Sequence, residues 1–169
     1  MFASGAIGRL VERAHMERPD EADRTLRGVP MTEHEREAFL RERGQGVLSL
    51  ARDGDAYGVP VSFGYDDGTL YFVLLQFGED SEKLDFAEAT GTATFSTFEF
   101  EDEHHWQSLV ARGPLELVPE ADREAVDDVM FDNARFASLF PHGEPITDHP
   151  RYRLVPEETT GQKGQGHDY

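Results

Sequence analysis

The chain has 169 residues, enough for one domain with a small hydrophobic core, and its 12 phenylalanines favour a folded core over disorder. It contains no cysteine, which excludes disulfides, thiolate metal sites and cysteine nucleophiles. Its 34 acidic and 16 basic residues give a formal net charge of −18, so neither nucleic acid nor an anionic membrane is an expected partner.

The acidic surface is also poor in lysine, since only Lys83 and Lys163 occur among the basic residues. A folded core under such a surface is typical of a halophilic protein from a salt-filled cytoplasm, where charge repulsion is screened within about 3 Å at 1 M salt. The alternative is an acidic protein from an ordinary cytoplasm. No apolar run is long enough for a membrane span and no signal-peptide core is evident, so we expect a cytoplasmic protein.

The chain divides into a central domain over residues 31–156 and two flanking segments. Residues 1–30 carry only one weak amphipathic stretch, so we expect a poorly packed N-terminal extension that need not belong to the working protein. Thr32-Glu33-His34-Glu35 is a capping box and predicts a helix over residues 33–43. Residues 157–169 are polar and glycine-rich, which predicts a flexible C-terminal tail.

The central domain reads mainly as antiparallel strands. The alternation of apolar residues and the turn sequences between them predict strands over residues 46–52, 56–65, 69–76, 92–100, 106–118 and 151–155. A short helix is predicted over residues 78–88, and a second helix from Pro119 to about Phe140. Five or six such strands with inserted helices indicate a small closed barrel, mainly β with flanking α, because closure removes exposed strand edges.

The second strand has one large apolar face and one nearly bare face, because side chains alternate along a strand. Its bare face carries Ala56, Gly58, Pro60, Ser62 and Gly64. Small side chains let a flat ligand approach the backbone closely, so this stripe predicts a slot for a planar ring. Another strand or a partner subunit could fill the same space.

Two further features suit a phosphorylated ring. Lys83 lies in a predicted short helix and is one of only two lysines in the chain. An ammonium group is a good phosphate ligand. A surface ion pair with Glu79 or Asp80 is the alternative. Trp106 and Ser108 share one strand face; in the alternative interpretation, Trp106 is an ordinary core residue of the barrel.

No metal site is expected at His104 and His105, because adjacent residues on a strand point to opposite faces. No catalytic residue stands out in the sequence.

These segments resemble, in order and spacing, the pyridoxamine 5′-phosphate oxidase-like FMN-binding split barrels, over about residues 31–160. The resemblance rests on Gly46-Val47-Leu48-Ser49-Leu50, Tyr57-Gly58-Val59-Pro60-Val61-Ser62-Phe63-Gly64-Tyr65, Gly68-Thr69-Leu70-Tyr71-Phe72, Lys83, Ala93-Thr94-Phe95 and Trp106-Gln107-Ser108-Leu109-Val110. It implies a six-stranded antiparallel Greek-key split β-barrel with peripheral helices. It also implies a homodimer with FMN at the interface.

The resemblance implies roles for seven residues. Val59, Pro60, Val61 and Ser62 would flank the flavin through the strand backbone, Lys83 would hold the phosphate, and Trp106 and Ser108 would contact the flavin across the dimer. The family's C-terminal segment rich in arginine and tryptophan is missing, so the oxidase reaction itself is not expected. A flavin-dependent oxidoreductase acting on a small molecule is the leading interpretation. A deazaflavin-dependent reductase of the same fold and a non-catalytic flavin-binding module are the alternatives.

Overall fold

The computed structural model describes residues 28–134 and 145–166, and its main feature is a closed antiparallel β-barrel. The strands are β1 (Val29–Pro30), β2 (Gln45–Arg52), β3 (Asp55–Asp66), β4 (Thr69–Val73), β5 (Gln76–Phe77), β6 (Thr92–Phe100), β7 (Trp106–Leu117), β8 (Ile146–Asp148), β9 (Arg151–Leu154) and β10 (Glu158–Lys163). The α-helices in the described ranges are α1 (Glu33–Arg43), α2 (Glu82–Ala89) and α3 (Arg123–Asn133). None of these helices has the length and apolar character that a membrane span requires.

Six strands close the barrel in the order β7-β6-β2-β3-β4-β9, with β9 pairing back to β7. This order confirms the predicted mainly β fold, the six-stranded antiparallel barrel and its flanking helices. Strand β10 adds to the side of β7, and β1 adds to β10, so the sheet continues beyond the barrel. Strands β5 and β8 form a separate two-stranded ribbon.

Side-chain alternation along the strands points phenylalanine rings into the interior of the barrel. Phe95 lies 4.7 Å from Phe63 and 5.6 Å from Phe72 between ring centroids, and all three rings are fully buried. The large residues of β3 face this core, with Phe63 and Tyr65 buried and Val59 half-buried against it. The predicted large apolar face of this strand therefore lies inward, and its small residues lie on the opposite side.

Strand β7 changes partner at Gly113. Residues on one side of the bend pair with β10, whereas those from Leu115 onward pair with β9. A Cβ atom at Gly113 would lie 2.1 Å from the Val155 carbonyl oxygen, so only glycine allows the β9–β10 connection to cross here. The bend lets one strand serve both the barrel and the sheet extension.

The prediction of a flexible tail from residue 157 is wrong for Glu158–Lys163, which form β10. The strand was missed because its polar side chains point largely to solvent and only its backbone pairs with β7. Gly161 packs so closely that a Cβ atom would lie 2.8 Å from the Met31 sulfur. The packed chain also begins before residue 31, since Val29 and Pro30 pair with β10, while residues 1–27 of the predicted extension lie outside the described range.

Two predicted helix boundaries are wrong for local backbone reasons. Helix α2 begins at Glu82 instead of Gly78, because Gly78 has a φ of +75°, which an α-helix cannot contain. Helix α3 ends at Asn133, because Ala134 is extended with a ψ of 140°. The remainder of that predicted helix, residues 135–140, lies outside the described residues.

An ion pair ties β10 to the start of α1. The Lys163 Nζ atom donates to Glu35 Oε1 at 2.6 Å, and Glu35 also accepts from the Thr32 backbone N–H at 2.7 Å in the predicted capping box. The hydrogen bond from Lys163, with that of Thr32, holds the pKa of Glu35 at about 2, below its ordinary value of 4.5. The helix cap and the last strand therefore share one carboxylate.

Replacing Glu35 with Gln should lower the free energy of unfolding at pH 7 by about 1–3 kcal/mol, the usual cost of losing a hydrogen bond to a charged group. A carboxyl whose pKa falls on folding stabilises the fold above its unfolded pKa of 4.5, and this contribution disappears as the pH falls towards 2. The difference between wild type and Glu35→Gln in urea unfolding should therefore shrink between pH 5 and pH 3. Glu33→Gln, on the exposed side of the same helical turn, is the control and should be neutral. An equal loss at both pH values would contradict the assigned role of the charge.

Candidate functional site

The outward side of four neighbouring barrel strands forms an open face of mostly small or uncharged side chains. Three rows of residues cross β3, β2, β6 and β7, and the strand register and alternation place them together. The open face comprises Gly58, Ser49, Thr94 and Arg112, then Pro60, Val47, Ser96 and Val110, then Ser62, Gln45, Phe98 and Ser108. None of these twelve residues is acidic, although the chain has 34 acidic residues.

A broad groove of about 720 Å³ lies at one end of the open face. Pro60, Val61 and Ser62 line one wall, so three of the predicted flavin-contacting residues come together in the structure. Phe98 and Phe100 of β6 form part of the groove, and each is 68% exposed. A groove of this volume is large enough for a cofactor-sized ligand.

The predicted bare stripe on β3 is open over only part of its length. A Cβ atom at Gly58 would meet only Val47 Cγ1, at an ordinary 3.7 Å, so the backbone here is free to receive a ligand from outside. At Gly64 a Cβ atom would lie 2.9 Å from Val129 Cγ1, because α3 packs across that end of the strand. The part of the stripe that includes Gly64 is therefore a helix-packing surface, which corrects the sequence-based slot.

Lys83 lies in the first turn of α2, away from the groove lining. Its Nζ atom is 5.7 Å from the centre of the Phe77 ring, and burial lowers the pKa of its ammonium group. Within the described ranges no carboxylate lies within 4 Å of it, so the alternative of an ion pair with Glu79 or Asp80 is not what the structure shows. A half-buried, unpaired cation in so acidic a chain is available for an anion.

Trp106 and Ser108 lie on the same side of β7, as predicted. Both line a smaller cavity of about 290 Å³ that shares Phe98 and Phe100 with the groove. The indole ring also packs against two glycines, since a Cβ atom would lie 2.5 Å from it at Gly28 and 3.1 Å from it at Gly164. Trp106 therefore packs against the backbone just before β1 and just after β10, while one side of it faces the cavity.

Sequence reasoning missed the residues that the barrel brings to the groove from elsewhere. Arg43, at the end of α1, donates to Glu99 at 2.9 Å and to the Phe98 carbonyl oxygen at 3.1 Å. No periodic pattern marks Arg43 for this place, because only tertiary packing sets α1 against β6. The strict alternation of β6, in contrast, could have identified Phe98 as an outward aromatic residue.

The barrel order and the outward face on β3, β2, β6 and β7 define this molecule as a split β-barrel. The chain belongs to the pyridoxamine 5′-phosphate oxidase family, whose family model matches residues 32–163. A search of curated proteins gives no match. The match to the family model confirms the resemblance seen in the sequence, and it extends through β10.

Solved structures confirm the fold at low sequence identity. A FAD-binding protein from Mesorhizobium loti is 21% identical with a TM-score of 0.64, covering 80% of this chain and 96% of its own. The FAD-binding protein from Mycobacterium smegmatis is 18% identical with a TM-score of 0.59, covering 80% of this chain and 98% of its own. A FAD- and heme-binding protein from Mycobacterium smegmatis is 15% identical with a TM-score of 0.59, covering 82% of this chain and 75% of its own.

Proposed function

We propose that this protein is an FMN-binding flavoprotein that acts as a homodimeric oxidoreductase on a small molecule. The observation that carries the proposal is the open face, which is uncharged apart from Arg112 in a chain of net charge −18. Acidic residues cover the surface where solvent is the partner, so their absence from twelve adjacent positions marks a face built for other contacts. The flavin-binding proteins of the same fold support a flavin as one of those contacts.

The residues of the groove fit a planar cofactor. Gly58 and Pro60 leave the backbone of β3 uncovered, and Val61 and Ser62 continue the wall. The isoalloxazine ring would lie against this strand, including the backbone of Val59, while Lys83 would hold the phosphate. Trp106 and Ser108 would approach the ring from the second subunit.

The groove supplies binding and position, whereas bound FMN would supply the exchange of hydride or electrons. Of the twelve described residues that line the groove, only Arg43 and Glu99 are ionisable, and they are paired with each other at 2.9 Å. The groove wall formed by these residues thus offers no free ionisable proton donor. Phe98 and Phe100 would exclude water from the ring, which strengthens polar contacts inside the site.

Titration of the purified protein with FMN tests the proposal. We expect quenching of flavin fluorescence at one FMN per protomer, and tighter binding of FMN than of FAD or a deazaflavin. Reduction of a dye acceptor by NAD(P)H in the presence of the complex would support an oxidoreductase over a flavin carrier. A protein that binds none of the three cofactors at low or high salt would contradict the proposal.

The open face should also form the dimer interface. Val110, in the middle row of the face on β7, is 41% exposed, and Phe98 is more exposed still. Val110→Asp should place an unpaired charge in the buried interface and weaken the dimer about 100-fold or more, since an unpaired buried charge is strongly unfavourable. Sedimentation equilibrium measures the change. Val155→Asp is the matched control, because Val155 is 44% exposed but lies outside the open face. Equal effects of the two substitutions would place the interface elsewhere.

Dimerisation should strengthen with salt. Each protomer carries a formal charge of −18, so two copies repel over distances set by the ionic strength. The screening length falls from about 10 Å at 0.1 M to about 3 Å at 1 M salt, while the uncharged part of the interface is little affected. We expect the dimer dissociation constant to fall at least about tenfold over this range of KCl. A constant that rises with salt would indicate an interface held mainly by ion pairs.

A further inference from the structure

A separate cavity of about 240 Å³ lies where α1, β3 and α3 meet. It is smaller than the pockets of roughly 300–1,000 Å³ that hold drug-sized ligands, so it suits a ligand of few heavy atoms. Its described lining shares no residue with the groove of the open face. The side chains that line it are those of Arg41, Tyr65, Asp66, Val129, Asp132 and Asn133.

The Asn133 side chain, only 8% exposed, forms part of the floor of this cavity and has one atom without a partner. Its Nδ2 atom donates to the carbonyl oxygens of Arg41 at 3.0 Å and Leu40 at 3.4 Å. Because carbonyl oxygens only accept, these two contacts fix which end of the amide is the oxygen. That oxygen, Oδ1, is buried and accepts no hydrogen bond. A buried acceptor without a partner is costly, so Oδ1 calls for a donor delivered through the cavity.

Tyr65 is the second buried polar residue of the floor. It is 7% exposed, and its hydroxyl makes no hydrogen bond to any residue in the described ranges. Burial raises the pKa of Tyr65 above its ordinary value of 10, so the phenol keeps its proton at neutral pH and can donate it in a hydrogen bond. The Arg41 guanidinium carbon lies 5.2 Å from the centre of the Tyr65 ring, within cation–π distance. A hydroxyl donor and a guanidinium therefore lie side by side at this cavity.

The charged side chains of the rim have opposite signs and do not neutralise one another. Arg41, Asp66 and Asp132 are all exposed and come from α1, β3 and α3 respectively. None of the three takes part in an ion pair within 4 Å among the residues that the structure describes. Three different elements hold these charges apart around one small space. The cavity therefore presents a cationic donor and two anionic acceptors at separate places.

We propose that this cavity binds a small zwitterion, a free α-amino acid. The ammonium group of the ligand would donate to Asp66, Asp132 and the Asn133 Oδ1 atom, and its carboxylate would accept from Arg41 and the Tyr65 hydroxyl. Each end of the ligand then gains charge-assisted hydrogen bonds, which are the strong ones. A divalent metal ion suits the cavity less well, because Arg41 repels it and the described residues contain no cluster of three histidine or carboxylate side chains able to hold a metal. The site is independent of the proposed flavin groove.

Isothermal titration of the full-length protein with each of the common L-amino acids tests the proposal, at low and at high KCl. We expect at least one of them to bind at one molecule per protomer. The tightest binder is then compared with the amine and the acid that each lack one of its charged ends; for alanine these are ethylamine and propionate. Each should bind at least about tenfold more weakly than the amino acid, because a charged hydrogen-bonding end is lost.

Three substitutions of similar size test the two ends of the ligand separately. Asp132→Asn should weaken the amino acid and the amine about 10- to 100-fold but not the acid, whereas Arg41→Gln should weaken the amino acid and the acid but not the amine. Tyr65→Phe removes only the hydroxyl and should act like Arg41→Gln. Asp128→Asn is the matched control, because Asp128 is exposed on α3 one turn before Asp132 and does not line the cavity. Urea unfolding of each variant shows that the barrel is intact.

A signal from the floor of the cavity shows where the ligand binds. The side-chain amide resonances of Asn133 in a ¹⁵N correlation spectrum should shift as the amino acid is added and should not shift with FMN. Absence of binding by every amino acid overturns the inference, since the cavity would then hold only water. Binding that is as tight for the amine or the acid overturns it too, and so does binding that survives all three substitutions. Flavin affinity should be the same in all these variants, so failure here leaves the proposed function standing.

Discussion

Replacing Gly58 with Val should reduce the affinity for both FMN and riboflavin at least about 100-fold while leaving the protomer folded. The added side chain would stand on the outward side of β3, where the flavin ring is proposed to lie. Within the protomer this position has room, because a Cβ atom would meet only Val47 Cγ1 at 3.7 Å. Valine also suits a strand, so we expect a free energy of unfolding equal to or above that of wild type.

Gly91→Val is the matched control for this experiment. A Cβ atom at Gly91 would meet nothing within 4 Å, and the residue lies between α2 and β6, away from the open face. The same change in residue should leave flavin affinity unaltered there. The Gly58 variant should weaken FMN and riboflavin alike, because the ring is common to both ligands. If Gly58→Val bound flavin as tightly as wild type, the flavin ring could not lie on this face of β3.

The sequence predicted the barrel because the strands obey a simple alternation. Phe63 and Phe95 lie on the inward side of their strands, and the residues before and after them, which face outward, are small or carry a hydroxyl group. Aspartate-glycine turns mark the ends of the hairpins, and Gly44 ends α1 with a φ of 65°. These are local signals, and local signals are what a single sequence records most directly.

The site was predicted only in part because it is made from separate strands. The small residues of β3 and the isolated Lys83 could be found from the sequence alone. Arg43 could not, because its place beside Phe98 depends on the packing of α1 against β6. The covering of Gly64 by α3 was hidden for the same reason, since the helix lies far along the chain.

Charge supplied a signal that periodicity did not. In a chain with 34 acidic residues, any outward surface without them stands out once strand register is known. Register cannot be read from one strand, so the acid-free rows appear only when β3, β2, β6 and β7 are aligned. The same contrast explains why Lys83, which has no carboxylate within 4 Å in the described ranges, is informative here and would be ordinary in a basic protein.

Gly113→Ala should lower the free energy of unfolding by about 3 kcal/mol, at the upper end of the cost of overpacking. The added Cβ atom would lie 2.1 Å from the Val155 carbonyl oxygen and 3.1 Å from the Glu157 nitrogen. Both are backbone atoms, so a side-chain rotation cannot relieve the clash and the β9–β10 connection must move. That movement would stretch the hydrogen bond of 2.9 Å from the Glu157 N–H to the Arg112 carbonyl oxygen.

Trp106 makes this prediction easy to follow, because it is the only tryptophan and it packs against Gly164 just beyond β10. Displacement of the connection should loosen β10 from β7 and shift the emission of Trp106 to longer wavelength before the barrel unfolds. Gly58→Ala adds the same methyl group to an open strand position and should change the unfolding free energy by less than about 0.5 kcal/mol. If Gly113→Ala were equally neutral, β7 would not need glycine to pass from β10 to β9, and the bend would have to arise from Pro114 alone.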